Sequence, residues 1–170
     1  MINLNNQLKK LGTETAFSVS AEAKVWQDKG NKIYPFHLGD LNFQTPSNIR
    51  EKTTFFMNKN KNGYCPSEDI PELRKALAKD VGEKRNVQYG LDNVIIQPGG
   101  KPTIWKFLAT VMNSGDEVLY PNPGYPIYES QINYQGGAAL PYRYNQTENG
   151  FDIDLDYLAK SISTKTKVLI

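Results

Sequence analysis

Three observations predict an α/β fold, a three-layer α/β/α arrangement around a largely parallel sheet. Short apolar runs recur along the second half of the chain, at Val94-Ile95-Ile96, Glu117-Val118-Leu119-Tyr120, Ala138 to Tyr144 and Lys167 to Ile170. Segments of helix length separate them, and their apolar residues fall at helical spacing. Glycine pairs or turn residues mark the joints at Gly99-Gly100, Gly115-Asp116 and Gly136-Gly137.

In chain order, residues 1–33 are polar and mixed, with a helix around Ala21 to Trp26 or an arm as the two readings. His37 to Pro46 reads as a short strand and a loop. Pro46 to Lys59 reads as a helix with Ile49 and Phe56 on one face. After the Asn62-Gly63-Tyr64 turn, Asp69 and Glu72 fit a capping box, with Pro71 in the first helical turn. Ile70, Leu73, Leu77 and Val81 then predict one buried face. Ile104, Phe107, Leu108 and Val111 give the next helix an apolar stripe. Pro126 to Tyr134 predicts a helix stopped by Gly136-Gly137. Asp154 is placed to cap a last helix carrying Leu155, Leu158 and Ile162.

Composition narrows the chemistry. The 170 residues make one domain or a piece of a larger protein. Twenty basic and 18 acidic residues leave a net charge of +2 with no long basic run, which argues against nucleic-acid binding. Cys65 is the only cysteine and His37 the only histidine, so an internal disulfide is impossible and a zinc site or histidine triad is disfavoured. No run reaches the roughly 18 apolar residues of a membrane span. Met1 to Leu11 lacks the apolar core of a signal peptide, and a cytoplasmic location is the expectation.

Gly99-Gly100-Lys101-Pro102 follows a strand and opens a helix. A helix N-terminus presents unpaired N–H groups and partial positive charge, and glycine lets a phosphate approach the backbone. The same residues also make an ordinary tight turn. They form neither the phosphate loop G-x-x-x-x-G-K-[ST] nor the dinucleotide fingerprint G-x-G-x-x-G. Tyr125, in the loop Pro121-Asn122-Pro123-Gly124-Tyr125, can stack on a planar ring or pack on its own domain, and Tyr128 reads as core. Tyr64 in its turn can donate a hydrogen bond to a phosphate or stand as a surface residue. Gly39 allows close approach to the backbone or makes a bend. Lys101 reads as a charged contact beside a phosphate rather than as a residue that carries a cofactor covalently.

These residues, taken together, resemble the class I/II aminotransferases, fold-type I enzymes that use pyridoxal 5′-phosphate. The resemblance covers roughly Leu38 to Ile170. Leu38-Gly39-Asp40 through Phe43-Gln44-Thr45-Pro46 is similar to the family's G-E-P-D-F-x-T-P loop. Gly63-Tyr64 with Pro71-Glu72-Leu73-Arg74 is similar to Y-x-x-x-x-G-x-P-E-L-R, and Gln97 to Lys101 to T-x-G-A-K. Gly115-Asp116-Glu117-Val118 matches G-D-E-V, Pro121 to Tyr128 resembles P-x-P-x-W-x-x-Y, and Thr164 to Lys167 resembles T-P-K-T-K. Leu41, Asp69 and Tyr125 depart from the family's proline, glycine and tryptophan.

The resemblance implies residue roles. Gly99, Gly100 and Lys101 would form the phosphate turn, the last two through backbone N–H groups. Tyr125 would stack on the cofactor ring. Tyr64 would reach the phosphate bound by a neighbouring subunit, and Gly39 would lie near the substrate carboxylate. It further implies a homodimer in the full-length protein, amino acid and 2-oxo acid substrates, an arm with part of the small domain over 1–45, and the start of the large domain over 46–170. The family's N-P-x-N-P-T-G motif, its cofactor-bearing lysine and its carboxylate-binding arginine fall after Ile170, so the 170-residue chain alone is expected to be inactive. Other readings stay open at this point: another fold-type I activity such as a carbon–sulfur lyase, or a non-catalytic protein that binds a phosphorylated ligand or a partner.

Overall fold

The computed structural model describes residues 2–12, 15–39 and 41–170. After a 3-10 turn at Asn6–Lys10, the elements in order are α1 (Thr15–Asp28), α2 (Ser47–Asn58), α3 (Pro71–Arg85), α4 (Gly100–Val111), β1 (Glu117–Pro121), α5 (Ile127–Tyr134), β2 (Ala138–Tyr142), β3 (Tyr144–Thr147), β4 (Gly150–Ile153), α6 (Leu155–Ser161) and β5 (Thr166–Leu169). The chain divides into two compact units, Met1–Gly39 with Gly99–Ile170, and Asp40–Pro98.

The first unit holds the sheet. Its strand order is β2-β1-β5, and both pairings are parallel. β1 is central, so its side chains alternate between two buried faces. Val118 and Tyr120 point to one face, where they pack with Leu108 and Met112 from the α4 segment and Ile132 from α5. Leu119 points to the other face and packs with Tyr142 and with Leu158 of α6. Val118, Leu119, Leu108 and Ile132 are fully buried. Helices therefore cover both faces of the parallel sheet, the predicted α/β fold. The 3-10 segment also packs on α5, and the Gly12 N–H donates to Ser130 Oγ at 3.1 Å.

Several boundaries follow the sequence signals. Two hydrogen bonds, from Gly136 N–H to Asn133 O and from Gly137 N–H to Ile132 O, close α5 where the glycine pair stands. The Asp154 carboxylate accepts from Tyr157 N–H at 2.9 Å and caps α6. The expected strand over Ala138 to Tyr144 splits instead: β2 ends at Tyr142, and Tyr144 opens a hairpin over residues 144–153 that the sequence reading lacks. β3 and β4 pair antiparallel across Glu148-Asn149. The short Asn149-Gly150 signal was its only warning.

In the second unit α3 packs against the 3-10 turn at Leu91–Asn93. The Arg74 guanidinium tightens that junction, donating to Val94 O at 2.8 Å and Leu91 O at 2.9 Å. The expected capping box does not form. Ile70 is the N-cap of α3, and Asp69 lies outside the helix with φ of 81°. Its carboxylate instead accepts from the Ile70 N–H at 2.6 Å. The buried face of α3 is Ala78 and Gly82, one position along from the predicted stripe, and Ile70 and Leu73 are exposed.

Two predicted strands are absent among the described residues. Residues 37–39 and 41–46 run through a turn and bends; the part of that expectation resting on Asp40 lies outside the described residues. Val94 has extended dihedrals, but residues 94–96 join no ladder, and Ile96 N–H donates to Glu68 O instead. An apolar run supplies the shape of a strand, and only a neighbour's backbone supplies the ladder. Among the described residues no helix is long and apolar enough to cross a membrane.

Candidate functional site

The residues singled out above divide between the two units. Gly39, Gly99, Gly100, Lys101 and Tyr125 belong to the first, and Tyr64 to the second.

Gly99 is the N-cap of α4, with φ of 96°. An L side chain is strained at that φ, and glycine is not. Gly99 also has no side chain with which to satisfy the N–H groups of the first helical turn. Thr103 Oγ1 donates to Gly99 O at 2.7 Å and closes the turn from below. A Cβ built on Gly100 would meet nothing within 4 Å, so the space beside it is open. An uncapped first turn with an open approach is the arrangement that holds an oxyanion, and these residues fit a phosphate group. The Lys101 side chain turns another way. Its Nζ lies 5.9 Å from the centroid of the Phe17 ring on α1, a cation–π distance.

Two glutamines fix where this turn sits. Gln131 Nε2 donates to Lys101 O at 3.1 Å, and Gln135 Nε2 donates to Trp105 O at 3.3 Å. The matching four-residue steps show that α4 and α5 run in the same direction. Trp105 adds a ring contact to Tyr134, centroids 5.0 Å apart. The N-terminus of α5 follows the carboxyl end of β1, so the N-terminus of α4 lies at that same end of the sheet. In α/β folds this is the ligand-binding edge. Neither glutamine was singled out from the sequence. Their four-residue spacing was visible, but the carbonyls they grip come from another helix.

Tyr125 stands in the β1–α5 loop, at the same edge. Its ring meets Tyr128 edge-on, centroids 5.7 Å apart and planes at 89°, and the side chain is 37% exposed. That exposure leaves the residue partly accessible at this edge. Gly124 makes the loop possible, because a Cβ there would collide with Pro121 O. Beneath the loop, Tyr120 is buried at the end of β1. Burial, then a hydrogen bond to the Glu129 carboxylate and its charge, push the phenol up to about 12. Tyr120 therefore remains a neutral donor throughout the physiological range.

Gly39 is exposed, with open space where a Cβ would go. Tyr64 is fully exposed in its own unit.

The family model of aminotransferase class I and II matches residues 32–170. A probable aspartate/prephenate aminotransferase of Aquifex aeolicus is 28% identical over 167 residues, which is 98% of this chain and 42% of that protein. A probable aspartate aminotransferase of Methanocaldococcus jannaschii is 31% identical over 133 residues, 78% of this chain and 35% of that protein. Among solved structures, an alanine aminotransferase from Pyrococcus furiosus superposes with a TM-score of 0.88 at 26% identity, covering 98% of this chain and 43% of that one. An aspartate aminotransferase from Thermus thermophilus with maleate gives 0.88 at 25% identity, covering 99% and 44%. The chain thus spans less than half the length of these relatives. Sequence and fold agree over nearly all of its residues, and the chain belongs to the class I and II aminotransferase family.

Proposed function

We propose that residues 1–170 are the N-terminal part of a pyridoxal-phosphate-dependent aminotransferase that moves an amino group from an amino acid to a 2-oxo acid. The observation that carries this reading is the shared edge of the sheet, at which the open first turn of α4 and the Tyr125 ring both lie, in a chain of this family. The N–H groups of Gly100 and Lys101 hold the cofactor phosphate. Gly99 permits the turn, and Tyr125 stacks on the ring. When bound, the cofactor ring draws electrons from the carbon that bears the substrate amino group. Gly39 lets the substrate carboxylate approach the backbone.

Tyr64 donates its hydroxyl to the phosphate held by a second subunit. Its full exposure, and the absence of any buried residue on α2, support a homodimer. In this reading 1–45 is the arm and part of the small domain, and 46–170 opens the large domain. The protein works in the cytoplasm. We further propose that the polypeptide 1–170 is inactive by itself.

The gene and transcript should continue past the codon for Ile170 into the family's asparagine–proline motif and lysine. The full-length protein should bind pyridoxal 5′-phosphate, seen in its visible absorption, and should form a new amino acid from a panel of amino donors and 2-oxo acids. Full-length protein that binds no pyridoxal phosphate and transfers no amino group would leave a non-catalytic binding protein in place of this reading.

A further inference from the structure

We infer that Gln131 is a positioning residue for the phosphate seat, acting through the Lys101 carbonyl, and that Gln135 is not. This inference rests on the reading of the α4 N-terminus as that seat.

An uncapped first turn is the part of a helix most prone to fray. A seat made from backbone N–H groups is only as well aimed as the peptide planes that carry them. The two residues before Lys101 are Gly99 and Gly100, and glycine is the residue type with the fewest backbone constraints. Gln131 holds the Lys101–Pro102 peptide, the plane that follows the one carrying the Lys101 N–H, because its Nε2 donates to Lys101 O. That carbonyl has a second lone pair besides the one used within the helix, so the contact costs α4 nothing. Gln135 makes the same contact one turn further along, at Trp105 O, where the helix is already closed by its own hydrogen bonds.

The other end of the Gln131 amide separates positioning from stability. Its Oε1 is sealed from solvent and accepts no hydrogen bond among the described residues. A buried acceptor left in this way destabilises the fold. The amide cannot turn over to relieve it, since Oε1 would then face the Lys101 carbonyl oxygen. An apolar side chain of the same length would remove that cost. A glutamine is therefore a poor choice for stability at this position and a good one for holding the Lys101 peptide.

The test uses the full-length protein stripped of cofactor and titrated with pyridoxal 5′-phosphate and, separately, with pyridoxal, which lacks the phosphate. Gln131→Met is expected to raise the Kd for pyridoxal phosphate about fivefold, the factor given by one ordinary hydrogen bond's net contribution. The Kd for pyridoxal should stay within about twofold, and the melting temperature of the cofactor-free protein should hold or rise. Gln131→Glu, which puts a carboxylate against the Lys101 carbonyl, should weaken the phosphate ligand further and serves if the methionine variant does not fold. Gln135→Met should leave the ratio of the two affinities unchanged. Equal losses for both ligands, equal effects of the two methionine variants, or an unchanged affinity for pyridoxal phosphate would each overturn the inference. A parent protein that binds both ligands alike would overturn the phosphate seat itself, and the role of Gln131 with it.

Discussion

The two compact units handle apolar residues in opposite ways. In the unit that holds the sheet, Leu108, Val118, Leu119 and Ile132 are fully buried, and strand alternation assigns each to one of two faces. In the unit spanning Asp40–Pro98, burial among the described residues reaches only small ones, Ala78 and Gly82 of α3, while Ile49, Phe55, Phe56 and Met57 of α2 are exposed. The difference teaches that apolar spacing alone does not make a core. β1 has a neighbour on each side and a helix layer on each face, whereas α2 buries nothing.

The largest test of this contrast is the polypeptide 1–170 expressed alone. The exposed aromatics of the second unit, together with the outer strand β5 and its half-exposed Leu169, should make it scatter light and melt without a sharp transition. A soluble, cooperatively melting monomer would break the comparison. Next in size, Leu119→Ala should cost about 2–5 kcal/mol of stability. Phe56→Ala should cost no more than about 0.5 kcal/mol if its ring faces water. Melting curves of the full-length protein compare them, and a similar drop for both would mean that other residues cover α2.

A smaller effect is confined to alkaline pH. Tyr120 ionises near 10.0 when unfolded and at about 12 in the fold. As pH rises, the unfolded chain loses this proton first, so the Tyr120 contribution is complete below pH 10 and is lost between about 10 and 12. Tyr142, also raised chiefly by burial, acts in the same direction. Tyr120→Phe should flatten the decline seen by chemical denaturation across that window. Smallest is Asp154→Ala, which removes the α6 cap and should cost about 1 kcal/mol.

How much of this was legible in the sequence depends on where each residue finds its partners. Local partners were readable. The α6 cap lies three residues from the N–H it satisfies, and the glycine pair that ends α5 bonds back within five. The alternation of strand and helix was also readable, and with it the edge where Gly99 to Lys101 and Tyr125 lie. Partners distant in sequence were not. Val94 to Ile96 carry a strand's composition without a strand's neighbour. The grip of Gln131 on Lys101 spans 30 positions and leaves no periodic trace in either segment. The buried face of α3 shifted because Arg74 and Gly82 serve the Val87 to Val94 segment, which the apolar stripe ignores.

Asp69 extends this lesson to sequence variation. Its φ of 81° is a conformation that few residue types tolerate. A saturation library at position 69 should therefore sort by backbone freedom rather than by hydrophobicity or charge. Glycine, asparagine and aspartate should survive, while valine, isoleucine and threonine should be depleted although the site is only half-buried. The position would tolerate a change of charge and refuse a branch at Cβ, so a physicochemical similarity score would misjudge what can be exchanged there.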